Sequence, residues 1–242
     1  MSERRFFIDK QNIIGKSAVL IGDEHEHLSL VLRLKTGDSV VLCDGTGKEY
    51  TAQVDRIEKS KTHLNIESEL MSSNEAKTYV TLYQGLIKGE KMDLVVQKTT
   101  ELGVSRIVPF TSQFTVVENS KNKNERFNKI ALSAAKQCRR ALLPEILETQ
   151  SFENVRKMIK SEKNVILAYE NEKTNTLSEA LKNVKTSVAL IVGAEGGFSE
   201  KEVNELVNAG AKCITLGKRI LRAETAAIAL ISATMYELKE WE

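Results

Sequence analysis

The chain is poor in the residues that would mark a specialised class. Only two prolines and three cysteines occur among 242 residues, aromatics make up 5%, and there is a single tryptophan. Cys43, Cys138 and Cys213 are too few and too far apart for a disulfide framework or a Cys-x-x-Cys metal site. They read as small, half-buried side chains in a reduced cytoplasm. No stretch of 18 apolar residues is present, so no membrane span is expected. The amino-terminal "MSERRFFIDK" lacks the apolar run of a secretory signal. His25-Glu26-His27 places two imidazoles two positions apart, where a helical metal pair needs four. His63 stands by itself, and no metal is assigned.

What is present is an ordinary globular composition, 41% hydrophobic and 28% charged. A chain of this length buries roughly 70–75% of its unfolded surface, enough for a core without staples. Net charge is only +2 but uneven. Residues 1–72 hold 10 basic and 12 acidic side chains, residues 77–140 hold 12 and 5, and residues 141–242 hold 13 and 15. The middle excess is a candidate phosphate-binding face.

The grammar changes once along the chain. Residues 1–70 read as strands. Asp44-Gly45-Thr46-Gly47 joins two β-rich runs as a hairpin, and "KTHLNIESEL" alternates as a half-buried strand. "DEHEHLSLVLRL" predicts one short helix, capped by Asp23, with Leu28, Val31 and Leu32 on its apolar stripe. The polar "MSSNEAK" at 71–77 reads as a linker, giving a β-rich module over 1–72 and a second domain over 73–242. From Thr78 strands and helices alternate: "TYVTLYQGL", a helix over 90–102, "RIVPF", a helix over 123–140, "NVILAYE", a short helix, "SVALIVG", a helix from Ser199, "KCITLG", and a last helix from Ala223. That order predicts an α/β fold with a mainly parallel sheet.

Two glycine-bearing turns fall at the carboxyl ends of strands, where open parallel sheets bind ligands. The first is "GAEGGFSEKEV". Ser199 and Glu202 form a capping box that opens a helix with an apolar stripe of Val203, Leu206 and Val207, and Gly210 stops it. The spacing of Gly193, Gly196 and Gly197 fits neither a P-loop nor the dinucleotide fingerprint. The second is "LGKRILRAETAAIA", in which a basic step at Lys218-Arg219 precedes Arg222. The helix that follows is apolar over Ala226–Ile231 and must be covered by core or by a second subunit.

These two motifs, with "HLSLVLRLKTGD" and "KGEKMDLVVQKTTELGV" in the same order, resemble the knotted SPOUT methyltransferases over the whole chain. More narrowly they resemble the 16S ribosomal RNA uridine N3-methyltransferase family, which acts on uridine 1498. Two departures are visible: Ala194 stands where proline is common, and Arg139 stands where "AKQCRR" usually has a small residue. The resemblance implies a SPOUT-type parallel sheet with a deep trefoil knot at the carboxyl terminus and an amino-terminal PUA-like β-barrel that binds RNA. It also implies a cytoplasmic homodimer that uses S-adenosylmethionine on 16S rRNA of the small ribosomal subunit.

On that reading Gly193, Gly196, Leu216, Gly217 and Leu221 approach the cofactor. Arg222 stabilises charge on the uracil or clamps a phosphate. Glu195 and Glu224 are candidate bases or orienters. Arg4, Arg5 and Arg33 of the barrel, with Lys88, Lys91, Arg139 and Arg140 of the basic segment, are the expected RNA contacts. The residues leave two alternatives open: a methyltransferase of another rRNA or tRNA nucleotide, and an RNA-binding protein without catalysis. A nicotinamide-dependent dehydrogenase would need the dinucleotide fingerprint that is missing.

Overall fold

The structure, a computed structural model, describes residues 4–116 and 123–242. Its chain divides into two compact units, residues 1–75 with 135–143, and residues 76–134 with 144–242.

The first unit is built on a six-stranded sheet. Its strands are β1 (Arg5–Phe7), β2 (Ile13–Ile14), β3 (Ser17–Ile21), β4 (Ser39–Cys43), β5 (Lys48–Ile57) and β6 (Lys61–Met71), in the order β1-β4-β5-β6-β3-β2. All neighbours are antiparallel except β1 and β4. The expected Asp44–Gly47 hairpin joins β4 to β5, with Gly45 and Gly47 both at positive φ. Two register irregularities between β5 and β6 bend the long central strands. Phe6 near one sheet edge and Ala18 and Leu20 near the other therefore share one core with Leu42, Val54 and Leu64.

The predicted early helix differs in detail. Helix α1 (Gly22–Glu26) starts at Gly22, not after an Asp23 cap, and runs directly into a π-helical turn over His27–Val31. The wider π turn, with its i→i+5 hydrogen bonds, rotates the stripe out of register. Leu28 is buried, whereas Val31 and Leu32 face solvent. His25 is a core side chain whose Nδ1 pairs with Thr62 Oγ1 at 2.8 Å.

The supposed linker is anchored. Glu75 accepts the Ala141 and Leu142 amides at 2.7 and 2.9 Å and the Arg140 Nε at 3.0 Å. Arg140 is 5% exposed, and Arg5 is held by Glu49 at 2.9 Å and is 8% exposed. Both were expected on the RNA-facing surface; both instead are buried ion-pair partners, which must stay paired to remain charged.

The second unit carries a parallel sheet in the order β10-β8-β7-β12-β11-β13. In chain order its elements are β7 (Tyr79–Gly85), α2 (Glu90–Glu101), β8 (Arg106–Thr111), α3 (Lys123–Gln137), β9 (Glu145–Ile146), β10 (Gln150–Ser151), α4 (Phe152–Ile159), β11 (Val165–Ala168), α5 (Leu177–Leu181), β12 (Ser187–Val192), α6 (Glu200–Asn208), β13 (Ala211–Ile214) and α7 (Ala223–Glu237). Strand β9 pairs with β8 off this path, and the last turn of α3 belongs to the first unit.

Apolar clusters cover the sheet on both faces. One contains Leu82, Ile166, Leu190 and Leu230, the other Tyr83, Leu167, Ile191 and Leu206. Consecutive strand residues thus enter opposite layers, which is why "VALIVG" has no polar position. Helix α7 buries Ala227, Leu230, Ile231 and Met235, while Ala233 and Tyr236 are exposed. Its apolar circumference is therefore only partly used within one chain.

Candidate functional site

Strand β12 ends at Val192, and its next six residues fold tightly against their neighbours. The Gly197 amide donates to the Ala194 carbonyl at 2.9 Å, closing a turn in which Gly197 takes φ +65°. The other glycines are bare for reasons of space. A Cβ on Gly193 would meet the Phe198 ring at 3.0 Å, and one on Gly196 would meet Phe114 Cβ at 2.6 Å. Both thus face protein side chains on that side. Phe198 is in turn stacked on Phe110, with ring centroids 6.1 Å apart. Gln84, fully buried at the end of β7, donates from Nε2 to the Gly193 carbonyl at 3.3 Å and pins the turn from below.

Helix α6 begins with the predicted capping box. Ser199 Oγ accepts the Glu202 amide, and Glu202 Oε2 accepts the Ser199 amide at 3.0 Å. The other Glu202 oxygen accepts the Gln113 amide at 2.8 Å, so this carboxylate also ties down the loop beyond β8. Val203 and Leu206 are buried as expected, but Val207 is exposed, one step off the core-facing stripe. Ser199→Ala is expected to destabilise the chain by about 1 kcal/mol in urea unfolding, the ordinary worth of an N-cap.

Two more loops complete the site. After β13, Thr215 Oγ1 accepts the Gly217 amide at 3.1 Å, and Gly217 takes φ +102°. The chain then runs exposed through Lys218, Arg219 and Ile220 to Arg222, the N-cap residue of α7. After β11, Glu172 gathers the amides of Lys173, Thr174 and Asn175. These bonds, the Thr174 amide foremost, hold its carboxyl down at about 2. That local anion cage fixes the loop that carries Tyr169 and Glu170.

Together the three loops enclose a cavity of about 710 Å³, within the range of small-molecule sites. Gly193, Glu195, Gly196, Leu216, Gly217, Leu221 and Arg222 all line it, as does Lys91. Glu224 does not. It is buried in the first turn of α7, where a carboxylate is favourable at the helix's positive end. Its neighbour Ala223 lines the cavity, and one Glu224 carboxylate oxygen is buried without a hydrogen-bond partner among the described residues.

Glu195 accepts the Lys88 amide at 3.2 Å and lies 3.6 Å from Lys91 Nζ. Burial alone would raise its pKa, but the Lys88 amide and its own, together with the Lys91 charge, outweigh that and hold it below the ordinary value. Such a carboxylate is a weak base and a good orienter of its turn.

Of the expected RNA contacts, Arg33, Lys88 and Arg139 are exposed, and Arg4 pairs loosely with Asp38 at 3.6 Å. Sequence reasoning did not select Tyr169, Glu170, Lys173, Lys218 or Arg219 as lining residues. Their positions just past β11 and β13, at the same sheet end as Gly193, were the available signal.

Among the described residues no group of three His, Cys, Asp or Glu side chains could hold a metal ion. Among the same residues no helix is long and apolar enough to cross a membrane.

Comparison with known proteins adds independent findings. The profile of the RNA methyltransferase domain matches residues 74–235, and that of the RNA methyltransferase PUA domain matches residues 20–67. The chain is 30% identical over 247 residues to Ribosomal RNA small subunit methyltransferase E of Bacillus subtilis, covering 97% of this chain and 96% of the relative. It is 32% identical over 239 residues to the protein of that name from Rickettsia conorii, covering 96% and 95%. A crystal structure of Ribosomal RNA small subunit methyltransferase E from Neisseria gonorrhoeae, bound to S-adenosyl methionine, superposes with a TM-score of 0.88 at 31% identity over 97% of each chain.

Proposed function

Because this chain belongs to the RNA methyltransferase family, we propose that it is a 16S rRNA methyltransferase that uses S-adenosylmethionine to methylate N3 of uridine 1498. The observation that carries this reading is a cavity shared by the Gly193–Phe198 turn and the Thr215–Arg222 segment, with Arg222 in its lining. Its residues suit the donor. Leu216, Leu221 and Ala226 offer apolar walls for a purine, and the glycine turns offer backbone donors and acceptors.

Bound there, S-adenosylmethionine supplies an electrophilic methyl group on a sulfonium sulfur. The chain's own contribution is placement and charge. Uracil N3 carries a proton that must pass to a base, here solvent water, before its lone pair can attack. Arg222, permanently cationic, stabilises the negative charge that this loss leaves on the uracil. Glu195 keeps the Gly193–Phe198 turn tied to the Lys88–Lys91 segment, so that the two reactants meet in one orientation.

Residues 1–72 are proposed as the RNA-binding domain and 73–242 as the catalytic domain. A carboxyl-terminal trefoil knot is supported by the sheet order, in which β12 returns between β7 and β11 although β11 precedes it in the chain. A homodimer is supported by the exposed side of α7, and a cytoplasmic location by the ribosomal substrate.

Arg33, exposed on the first unit, and Arg5, buried there, give a paired prediction. Arg33→Ala should weaken RNA binding and flatten the slope of log affinity against log salt by about one. Arg5→Ala should lower stability and leave that slope unchanged. Filter binding across a salt series, with thermal melts of both variants, checks this. The function itself is tested by mass spectrometry of 16S RNA from a deletion strain, before and after incubation with the purified protein and the donor. A gain of one methyl at uridine 1498 is expected, and no gain would refute the assignment.

A further inference from the structure

The cavity has an unequal charge inventory. Five cationic side chains line it, Lys91, Lys173, Lys218, Arg219 and Arg222, against two carboxylates, Glu170 and Glu195. Glu195 is engaged by the Lys88 amide and Lys91. The Glu170 carboxylate makes no hydrogen bond or ion pair among the described residues; Lys173 Nζ reaches the Glu170 main-chain carbonyl instead, at 2.7 Å. Glu170 is nonetheless held beside the glycine turn, since a Cβ on Gly197 would lie 2.9 Å from Glu170 Oε1. The bare Cα of Gly197 is what gives this carboxylate its room.

A methyl donor of the proposed kind carries two positive charges, on sulfur and on its α-ammonium, and one negative, on its carboxylate. With Glu195 already engaged, Glu170 is the lining carboxylate left to face the ammonium. The ammonium is also a triple hydrogen-bond donor, whereas the sulfonium sulfur has no N–H or O–H to give. We propose that Glu170 binds the α-ammonium group of S-adenosylmethionine, an inference that rests on the donor occupying this cavity. Glu170 is thereby a binding residue for the amino-acid end of the donor, while Leu216 and Leu221 face its nucleoside end.

Three ligands separate the possibilities: S-adenosylmethionine, S-adenosylhomocysteine, which lacks the sulfonium charge, and 5′-methylthioadenosine, which also lacks the amino acid. Calorimetric titration of the full chain and of Glu170→Gln with each is the test. The variant should bind the first two about tenfold more weakly, the loss of one charge-assisted hydrogen bond. It should bind 5′-methylthioadenosine as the wild type does. Equal weakening of all three ligands would assign Glu170 to the ribose hydroxyls and overturn the proposal. So would weakening of S-adenosylmethionine alone, or no change in any. Glu170 is exposed on a loop, so its substitution leaves the fold intact, and a thermal melt of the variant checks that. Wild-type chain that binds none of the three would overturn the methyltransferase reading itself, and this inference with it.

Discussion

Arg222→Ala is expected to cut methyl transfer to 16S RNA by about 10²–10³-fold, the usual cost of removing one preorganised group that meets developing charge. Affinity for S-adenosylmethionine should change little. The reason is the division of labour within the cavity. The nucleoside end of the donor is enclosed by the Gly193–Phe198 turn and by Leu216–Leu221, all of which Arg222→Ala leaves in place. Arg222 itself caps α7 with backbone geometry alone and makes no side-chain cap bond, so its truncation costs the helix little. Lysine at this position should restore only part of the rate, because a point charge cannot make the paired contacts of a planar guanidinium. Single-turnover methylation and donor titration, run on the same preparations, separate rate from binding. A fall in donor affinity matching the fall in rate would move Arg222 from the nucleobase to the donor.

Gly85→Ala is the change expected to harm the architecture most. Gly85 ends β7, and the turn leaving β12 is laid across it. An added Cβ would sit 2.7 Å from the Gly193 carbonyl carbon and closer still to the Ala194 nitrogen. These neighbours are backbone and cannot rotate away as a side chain would. The only relief is to push the first glycine turn off the sheet, which also breaks the grip of Gln84 on Gly193. We expect a loss of about 3 kcal/mol, at the upper end for overpacking, and a melting temperature lower by roughly 6–12 °C. Donor binding should disappear with it. A variant that melts and binds as the wild type does would show that the turn is free to move.

The legible parts of the sequence were those decided within a few residues. The Ser199–Glu202 box needs only its own spacing, and it forms as written. The alternation from Thr78 onward follows from strands buried on both faces, and the sheet contains β7, β8, β11, β12 and β13 where their apolar runs lie. Helix α4 was not anticipated, although Ser151 caps it, because its eight residues are too few for a clear period. Long-range pairing was the main source of error. Arg5 and Arg140 carry ordinary surface chemistry, and nothing near them in sequence announces Glu49, 44 residues on, or Glu75, 65 residues back. The glycines were legible only in part. A glycine signals that something comes close, but only the fold reveals that Phe114 meets Gly196, Ala194 meets Gly85 and Glu170 meets Gly197. The π-helical turn at His27–Val31 is a third case, since the period of the helix itself changed while the apolar pattern was read at 3.6.

A crystal structure of the chain grown with S-adenosylhomocysteine addresses the whole account at once. The account predicts its adenosine between the Gly193–Phe198 turn and Leu216–Leu221, with the sulfur turned toward the mouth where Arg222 stands. Density for the ligand at any other place on the chain, or within that cavity but with its sulfur sealed away from Arg222, would contradict it.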